Sequence, residues 1–218
     1  MDSCRHRPAA HLGWLEAVAG AVEALRGTAS RPCRTIRTVG VAASSHSIRN
    51  DFQQILVNFM KTEWQWSSFE DLSKEDWYAI VARRQEVFII EQNCVYPDID
   101  GVDLKAFHLL GWRGEGSNKA LAAYLRVVFP GVKYAEVSLG RVLSAPAMRS
   151  TGVGRELVAQ GIARAEKQFP GLDIRISAQL YLERFYRSFG FACTSEPYDE
   201  DGIPHVEMLR PHSNTAKP

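Results

Sequence analysis

Two kinds of hydrophobic spacing mark out helices and strands between residues 61 and 210. Apolar residues at helical spacing predict helices at 73–92, 153–169 and 179–189. Short alternating or apolar runs predict strands at 63–69, 106–112, 120–129, 134–143, 172–177, 191–194 and 203–210. A capping box from Ser73 to Asp76 opens the first helix, and Gly190 follows the third. This part of the chain is therefore predicted to fold as a domain that mixes helices and strands.

The first sixty residues follow a different pattern. Residues 11–26 have helical spacing, and residues 28–50 are small, polar and Arg-bearing. The segment holds seven Arg, four acidic residues and no Lys. Three interpretations stay open: an organelle transit peptide, a binding appendage, or sequence upstream of a translation start at Met60, which we favour. We expect residues 1–60 to be a low-order N-terminal extension and residues 61–213 to be the folded domain.

Composition narrows the class of protein. The chain has 218 residues, of which 45% are hydrophobic and 23% charged, and its formal net charge is +1. These values suit one soluble domain with an appendage and argue against a polyacidic tail or a nucleic-acid coat. No uncharged apolar run approaches the roughly 20 residues of a membrane helix. The four cysteines lack CxxC or metal-ligand spacing, which favours reduced thiols in the cytoplasm and predicts no metal site.

Two segments contain charged residues that the hydrophobic pattern does not explain. Arg84 and Glu91 lie on the apolar face of the first predicted helix, where an internal Arg–Glu pair or a solvated edge is favoured over a site. The loop after this helix carries Asp98, Asp100 and Asp103 at a spacing that resembles a calcium loop. The chain has Leu where that loop needs its bidentate Glu. We therefore expect ordinary turn chemistry here and no calcium.

Residues 142–169 combine a strand end, a short loop with two glycines and a helix. The first N–H groups of a helix have no partner within it and attract anions. Gly152 and Gly154 lack side chains that would block a phosphate, and Arg149 adds a donor. A dinucleotide fingerprint is excluded because its third glycine is replaced by Leu157, and a Walker loop because Gly-Lys-Ser/Thr is absent. The segment indicates a phosphate cradle, with a plain strand-to-helix turn as the alternative.

Two motifs together resemble those of a known superfamily. Arg149-x-x-Gly152-x-Gly154 resembles the acyl-CoA motif of the GNAT (Gcn5-related N-acetyltransferase) superfamily. Residues 179–191 resemble the segment that follows it, although that superfamily usually has Asn where Gln179 stands. The resemblance covers about residues 63–210, and an ElaA-like branch is indicated by the segments 87–103, 108–112, 140–142 and 201–205.

The resemblance implies a fold and a binding site. The implied fold is α+β with three α/β/α layers, a mixed and mostly antiparallel sheet that is splayed at the acyl-CoA site and flanked by helices. The implied co-substrate is acetyl-CoA, with no metal. The residues implied to bind it belong to a strand end, the loop and helix start after it, and the following motif: Val142, Leu143, Arg149, Ser150, Thr151, Gly152, Val153, Gly154, Arg155, Gln179 and Tyr186.

The resemblance also implies a reaction, the transfer of an acetyl group to a primary amine. Tyr186 stands where the family keeps its general acid for the departing thiolate, and a main-chain N–H near Leu143 is the family-like donor to the oxyanion. The amine must first lose a proton. We select Glu91 as its base, because it lies on an inner stripe near a predicted substrate loop; Glu136 and a water chain are rivals.

Two other functions stay open. The protein could bind acyl-CoA as a sensor with little turnover, or bind nucleic acid through its basic start, which the near-neutral domain disfavours. The expected partner is a small-molecule or peptide amine, with a homodimer left open and neither nucleic acid nor membrane expected. Acidic loops at 98–103 and 199–201 would suit a cationic amine, but such loops are more often simply solvated. The expected location is the cytoplasm, or an organelle if residues 1–60 are a transit peptide.

Overall fold

A computed structural model describes residues 61–116 and 119–212, so the interpretations of residues 1–60 lie outside the described part. Its strands and α-helices are β1 (Glu63–Ser68), α1 (Lys74–Arg84), β2 (Ala106–Arg113), β3 (Ala120–Val128), β4 (Val137–Ser144), α2 (Val153–Gln168), β5 (Ile174–Gln179), α3 (Glu183–Arg187), β6 (Ala192–Cys193), β7 (Tyr198–Glu200) and β8 (Ile203–Arg210). A π-helical segment, Gln85–Glu91, continues α1. Short 3-10 turns occur at Val102–Lys105, Pro146–Met148 and Leu180–Leu182.

The strands form one sheet in the order β1-β2-β3-β4-β5-β8-β6, with β7 paired to β8. Neighbouring strands are antiparallel except β4 and β5, which are parallel. That parallel pairing joins Val137 to Ile174 and Ser138 to Arg175, and β4 then diverges from β5. The sheet is therefore open in its middle. The predicted α+β class, with a mixed and mostly antiparallel splayed sheet, is confirmed.

Helices cover both faces of this sheet. Leu109 of β2 packs in one core cluster with Leu157 of α2. The next residue, Leu110, packs in a second cluster with Ile80 of α1. Because successive residues of a strand point to opposite faces, α1 and α2 lie on opposite sides of the sheet. The sheet is thus the middle layer between α1 and α2.

Two of the predicted helices need correction. The capping box is present, since Ser73 Oγ accepts from the Asp76 N–H at 3.0 Å, but the helix becomes π-helical at Gln85. The third helix does not begin at Gln179, which is the last residue of β5 and pairs with His205 of β8. Pairing in the sheet overrides the helical spacing there, and a 3-10 turn separates β5 from the short α3.

The described residues also bear on cysteines, membranes and metals. Cys94 is buried, Cys193 is partly buried, and both are free thiols. Within residues 61–116 and 119–212, the structure has no helix long and apolar enough to cross a membrane. The same residues contain no group of three or more His, Cys, Asp or Glu side chains that could hold a metal ion.

Candidate active site

The opening between β4 and β5 coincides with a bulge in β4. Tyr124 and Arg126 of β3 pair with positions 143 and 140 of β4, so β4 holds one extra residue. Arg141 lies at this bulge with φ 51°, a left-handed conformation that is rare for residues other than glycine. A bulge leaves local backbone groups outside the ladder. Val142 and Leu143, whose backbone groups are predicted to bind the co-substrate, are therefore at an irregular part of the strand beside the opening.

The start of α2 has the features of an anion site. Gly152 is its N-cap, with φ 86° and no side-chain cap, so the first N–H groups of a 16-residue helix lack the usual capping oxygen. A Cβ added at Gly152 or Gly154 would meet no heavy atom within 4 Å. The left-handed backbone accounts for glycine at 152. Neither packing nor backbone conformation requires glycine at 154, so its missing side chain fits the approach of a ligand.

A cavity of about 440 Å³ lies at the opening of the sheet. It brings together six of the predicted site residues: Glu91, Val142, Leu143, Arg149, Gln179 and Tyr186. The other six, residues 150–155, lie outside its lining in the loop and first turn of α2. The Val153 side chain is buried in the core, so its backbone alone can face a ligand. The predicted residues thus form two groups: one lines the cavity wall, and the other forms the cradle in the loop and first turn of α2 that follow Arg149.

Two contacts cross this cavity. Arg149 donates from both Nη atoms to the two carboxylate oxygens of Glu91, each at 2.7 Å. The hydrogen bond from Arg149 lowers the pKa of Glu91 below its ordinary value, and the charge of Arg149 acts in the same direction. Gln179 Nε2 donates to Gln92 Oε1 at 3.3 Å. Glu91 and Gln92, which are adjacent at the end of the π-helical segment, therefore contact two residues that are predicted to bind the co-substrate.

Tyr186 is positioned by aromatic packing within the cavity wall. Its ring meets Phe185 and Phe191 edge-on, with centroids 5.1 and 5.9 Å away, and the residue is 6% exposed. Burial, with a smaller contribution from Tyr181, raises the pKa of Tyr186 well above its ordinary value of about 10. The hydroxyl therefore keeps its proton at any ordinary assay pH, as a general acid requires.

A buried ionic network supports the other side of the cavity. It joins α1, the loop after the π-helical segment, β3 and β4 through three arginines and three aspartates: Arg84, Arg126, Arg141, Asp98, Asp100 and Asp103. Arg84 is completely buried and donates to Asp98 and Asp103 at 2.7 Å. Arg126 Nη1 shares the same Asp103 oxygen at 2.9 Å. The network fixes the loop to the sheet.

This network corrects two predictions. Arg84 pairs with aspartates of the loop, whereas Glu91 pairs with Arg149, so the alternative of an internal Arg84–Glu91 pair is wrong. Turn chemistry alone does not describe the loop either. Asp100 does accept from the Val102 N–H at 3.0 Å, but it also binds Arg126. Asp98, Asp100 and Asp103 are already neutralised by arginines, so they are not available to attract a cationic acceptor.

Arg141 and Gln92 belong to sequence motifs that predict no role for either residue. Arg141 lines the cavity between the rings of Phe88 and Tyr96, with its guanidinium carbon 5.9 and 5.4 Å from their centroids. The sequence carried one signal for this network: Asp98, Asp100 and Asp103 lie in one loop, and Arg84, Arg126 and Arg141 lie within a predicted helix and two predicted strands. Charges at buried positions need partners, and this loop is the nearest source of them.

Comparison with known proteins identifies the family. The sequence profile of the acetyltransferase (GNAT) domain matches residues 118–210. A UPF0039 protein of Synechocystis is 43% identical over 150 residues, which cover 69% of this chain and 96% of that protein. Protein ElaA of Escherichia coli is 39% identical over 150 residues, covering 68% of this chain and 95% of ElaA.

Solved structures agree with these relatives. An acyl-CoA N-acyltransferase from Pseudomonas aeruginosa superposes with a TM-score of 0.65 at 36% identity, covering 69% of this chain and 99% of the other. Crystalline Escherichia coli ElaA gives a TM-score of 0.64 at 38% identity, with the same coverage. The predicted superfamily and branch are confirmed. On its fold, its site and these relatives, the chain belongs to the GNAT family of acyltransferases, among proteins similar to ElaA.

Proposed function

We propose that the protein transfers the acetyl group of acetyl-CoA to a primary amine of a small molecule or peptide, with residues 61–213 as the catalytic domain. One observation carries the proposal: the bulged backbone of β4, Arg149 and the buried Tyr186 line one cavity, and the uncapped start of α2 follows closely after Arg149 in the chain. Acetyl-CoA, when bound, supplies an acetyl group already activated as a thioester. The amine supplies the nucleophile.

Binding is assigned to the two parts of the site. The backbone groups of Val142 and Leu143 and the Gln179 side chain would hold the pantetheine arm at the cavity wall. The cradle, residues 150–154 with Arg149 and Arg155, would hold the pyrophosphate at the start of α2. The uncapped N–H groups and the open space at Gly154 fit this assignment.

Tyr186 and the β4 bulge carry the proposed chemistry of the acetyl group. An N–H group near Leu143 donates to the oxygen that gains negative charge as the carbonyl is attacked. Tyr186, which lines the cavity and keeps its hydroxyl proton, is the proton donor to the departing thiolate in this proposal. The ring contacts of Tyr186 hold the hydroxyl in one direction, so little further entropy is lost in orienting it for the reaction.

Glu91 remains the proposed base for the acceptor amine. It lines the cavity, whereas its rival Glu136 lies outside the lining and binds Arg175 through two hydrogen bonds of 3.1 and 2.7 Å. Glu91 is in turn occupied by Arg149 in the free protein. Its carboxylate becomes a stronger base for the amine once this contact has loosened.

Thermal unfolding with acetyl-CoA tests the proposal. Acetyl-CoA at about 100 times its Kd should stabilise the protein by about 2.7 kcal/mol, which raises Tm by roughly 5–10 °C. The second step measures thiol release with polyamines, amino acids, aminoglycosides and peptides as acceptors. Stabilisation with turnover supports the proposal, and stabilisation without turnover on any acceptor would favour a sensor. No stabilisation at saturating acetyl-CoA would contradict both.

A further inference from the structure

Two adjacent residues at the end of the π-helical segment occupy groups that the proposed function assigns to acyl-CoA. Glu91 holds Arg149, which follows β4, through two bonds of 2.7 Å. Gln92 accepts a bond of 3.3 Å from Gln179, the last residue of β5. Glu91 and Gln92 therefore connect the two sides of the opening in the sheet. We call these two residues the latch.

We propose that the latch closes the acyl-CoA site of the free protein and that acyl-CoA opens it by binding Arg149 and Gln179 itself. The inference rests on the proposed function, since it requires acyl-CoA to bind at these residues. The two N–H groups that hold the carboxylate cannot bind a phosphate at the same time, and the negative charge of Glu91 repels a phosphate from the remaining N–H groups of Arg149. The amide of Gln179 has the same choice between Gln92 and the pantetheine arm.

The latch contacts are weak enough for a ligand to displace. The side chains of Glu91 and Arg149 are 41% and 44% exposed, so solvent and salt screen their ion pair. A phosphate that binds Arg149 also meets the uncapped start of α2, a contact that the Glu91 carboxylate does not make, so the phosphate wins the competition. The latch lies at the end of a π-helical segment. This conformation is rare in proteins and, where it occurs, is often found at a functional site.

Opening of the latch changes the chemistry of Glu91. In the free protein, the bond from Arg149 lowers the pKa of Glu91, which makes it a weaker base. When a phosphate takes Arg149, that cause is removed and the carboxylate becomes available to the acceptor amine. The same event thus fills the co-substrate site and prepares the proposed base. Acyl-CoA is accordingly expected to bind before the acceptor.

A double-mutant cycle on CoA affinity tests the latch in the full-length chain. Glu91→Gln keeps the side-chain shape but removes the charge that competes for Arg149, so CoA should bind about fivefold more tightly than to wild type. In an Arg149→Gln background, the same change should leave the Kd unchanged within about twofold. Thermal shifts measured up to millimolar CoA give the Kd of weak binders.

Glu156→Gln is the matched control for a general charge effect. Glu156 lies in the first turn of α2 beside the cradle and accepts a hydrogen bond from Trp64 instead of Arg149. Its neutralisation should change CoA affinity by the same factor with and without Arg149.

The outcomes separate the latch from the proposed function. If wild type binds CoA but Glu91→Gln leaves the affinity unchanged, weakens it, or tightens it equally in both backgrounds, the latch is refuted and the proposed function stands. If wild type does not bind CoA, the proposed function fails, and the latch fails with it. Tightening that depends on Arg149 supports both.

Discussion

Replacing Asp103 by Asn is expected to lower the free energy of unfolding by about 3 kcal/mol, the low end of the range for removing one partner of a buried ion pair. Asp103 is 2% exposed, and one carboxylate oxygen accepts from Arg84 at 2.7 Å and from Arg126 at 2.9 Å. Asparagine keeps the shape but removes the charge that both guanidinium groups share. Each arginine retains one aspartate, Asp98 or Asp100, which limits the loss. Thermal unfolding should show a Tm about 6–12 °C lower.

Asp100→Asn is the matched control within the same network. The Asp100 side chain is 29% exposed, so solvent compensates part of the lost charge and we expect a smaller loss than for Asp103→Asn at pH 7. Burial alone would raise the pKa of Asp100, but the hydrogen bonds and charge of Arg126 lower it far below its ordinary value. Its contribution is therefore present above about pH 4 and is lost as pH falls through the lower folded pKa. Equal losses for the two variants at pH 7 would contradict the role of burial.

Replacing Tyr186 by Phe is expected to lower kcat by about 100-fold or more, the size of a typical general-acid contribution. The change removes one hydroxyl while the ring keeps its contacts with Phe185 and Phe191. Because the raised pKa keeps Tyr186 protonated, the loss should be present throughout the neutral range and should not be relieved by lowering the pH. Steady-state kinetics with acetyl-CoA and an acceptor found in the panel measures it.

Measurements of CoA affinity and thermal stability distinguish the loss of a proton donor from a disturbance of the site. The Kd for CoA and the Tm of Tyr186→Phe should match those of wild type within about twofold and 2 °C, respectively. Tyr78→Phe makes the same one-atom deletion at an exposed position of α1 and should leave kcat unchanged. A Tyr186→Phe variant with the kcat of wild type would contradict the assignment of Tyr186 as the general acid.

Local patterns in the sequence predicted most of the fold because burial repeats along each element. The strand predicted at 203–210 is β8, with the same limits. The helix predicted at 153–169 is α2 within one residue, since its apolar stripe faces the sheet along its whole length. The spacing failed at Gln179, where pairing with β8 keeps the residue in the sheet although the apolar stripe of the next turns suggests a helix.

The partners of charged residues could not be predicted in this way. Arg84 was recognised as a charge on an apolar face, but its partners lie 14 and 19 positions away in a loop. Glu91 was assigned to the site, yet its partner Arg149 is 58 positions away. Such pairs depend on how the elements pack, and spacing within one element carries no information about them. The motif around residues 149–154 was informative because a phosphate cradle is built within one short segment.

Titration of CoA into wild type and Gly154→Ala tests most directly whether the start of α2 holds the phosphates of acyl-CoA. Alanine at this helical position meets no heavy atom within 4 Å and has a helix propensity better by up to about 1 kcal/mol, so the free variant should be no less stable than wild type. A methyl group in the cradle should nevertheless block a hydrogen bond to phosphate worth about 1.5–3 kcal/mol, which raises the Kd about tenfold or more. Equal affinity of the two proteins for CoA, or no binding by wild type, would contradict this assignment.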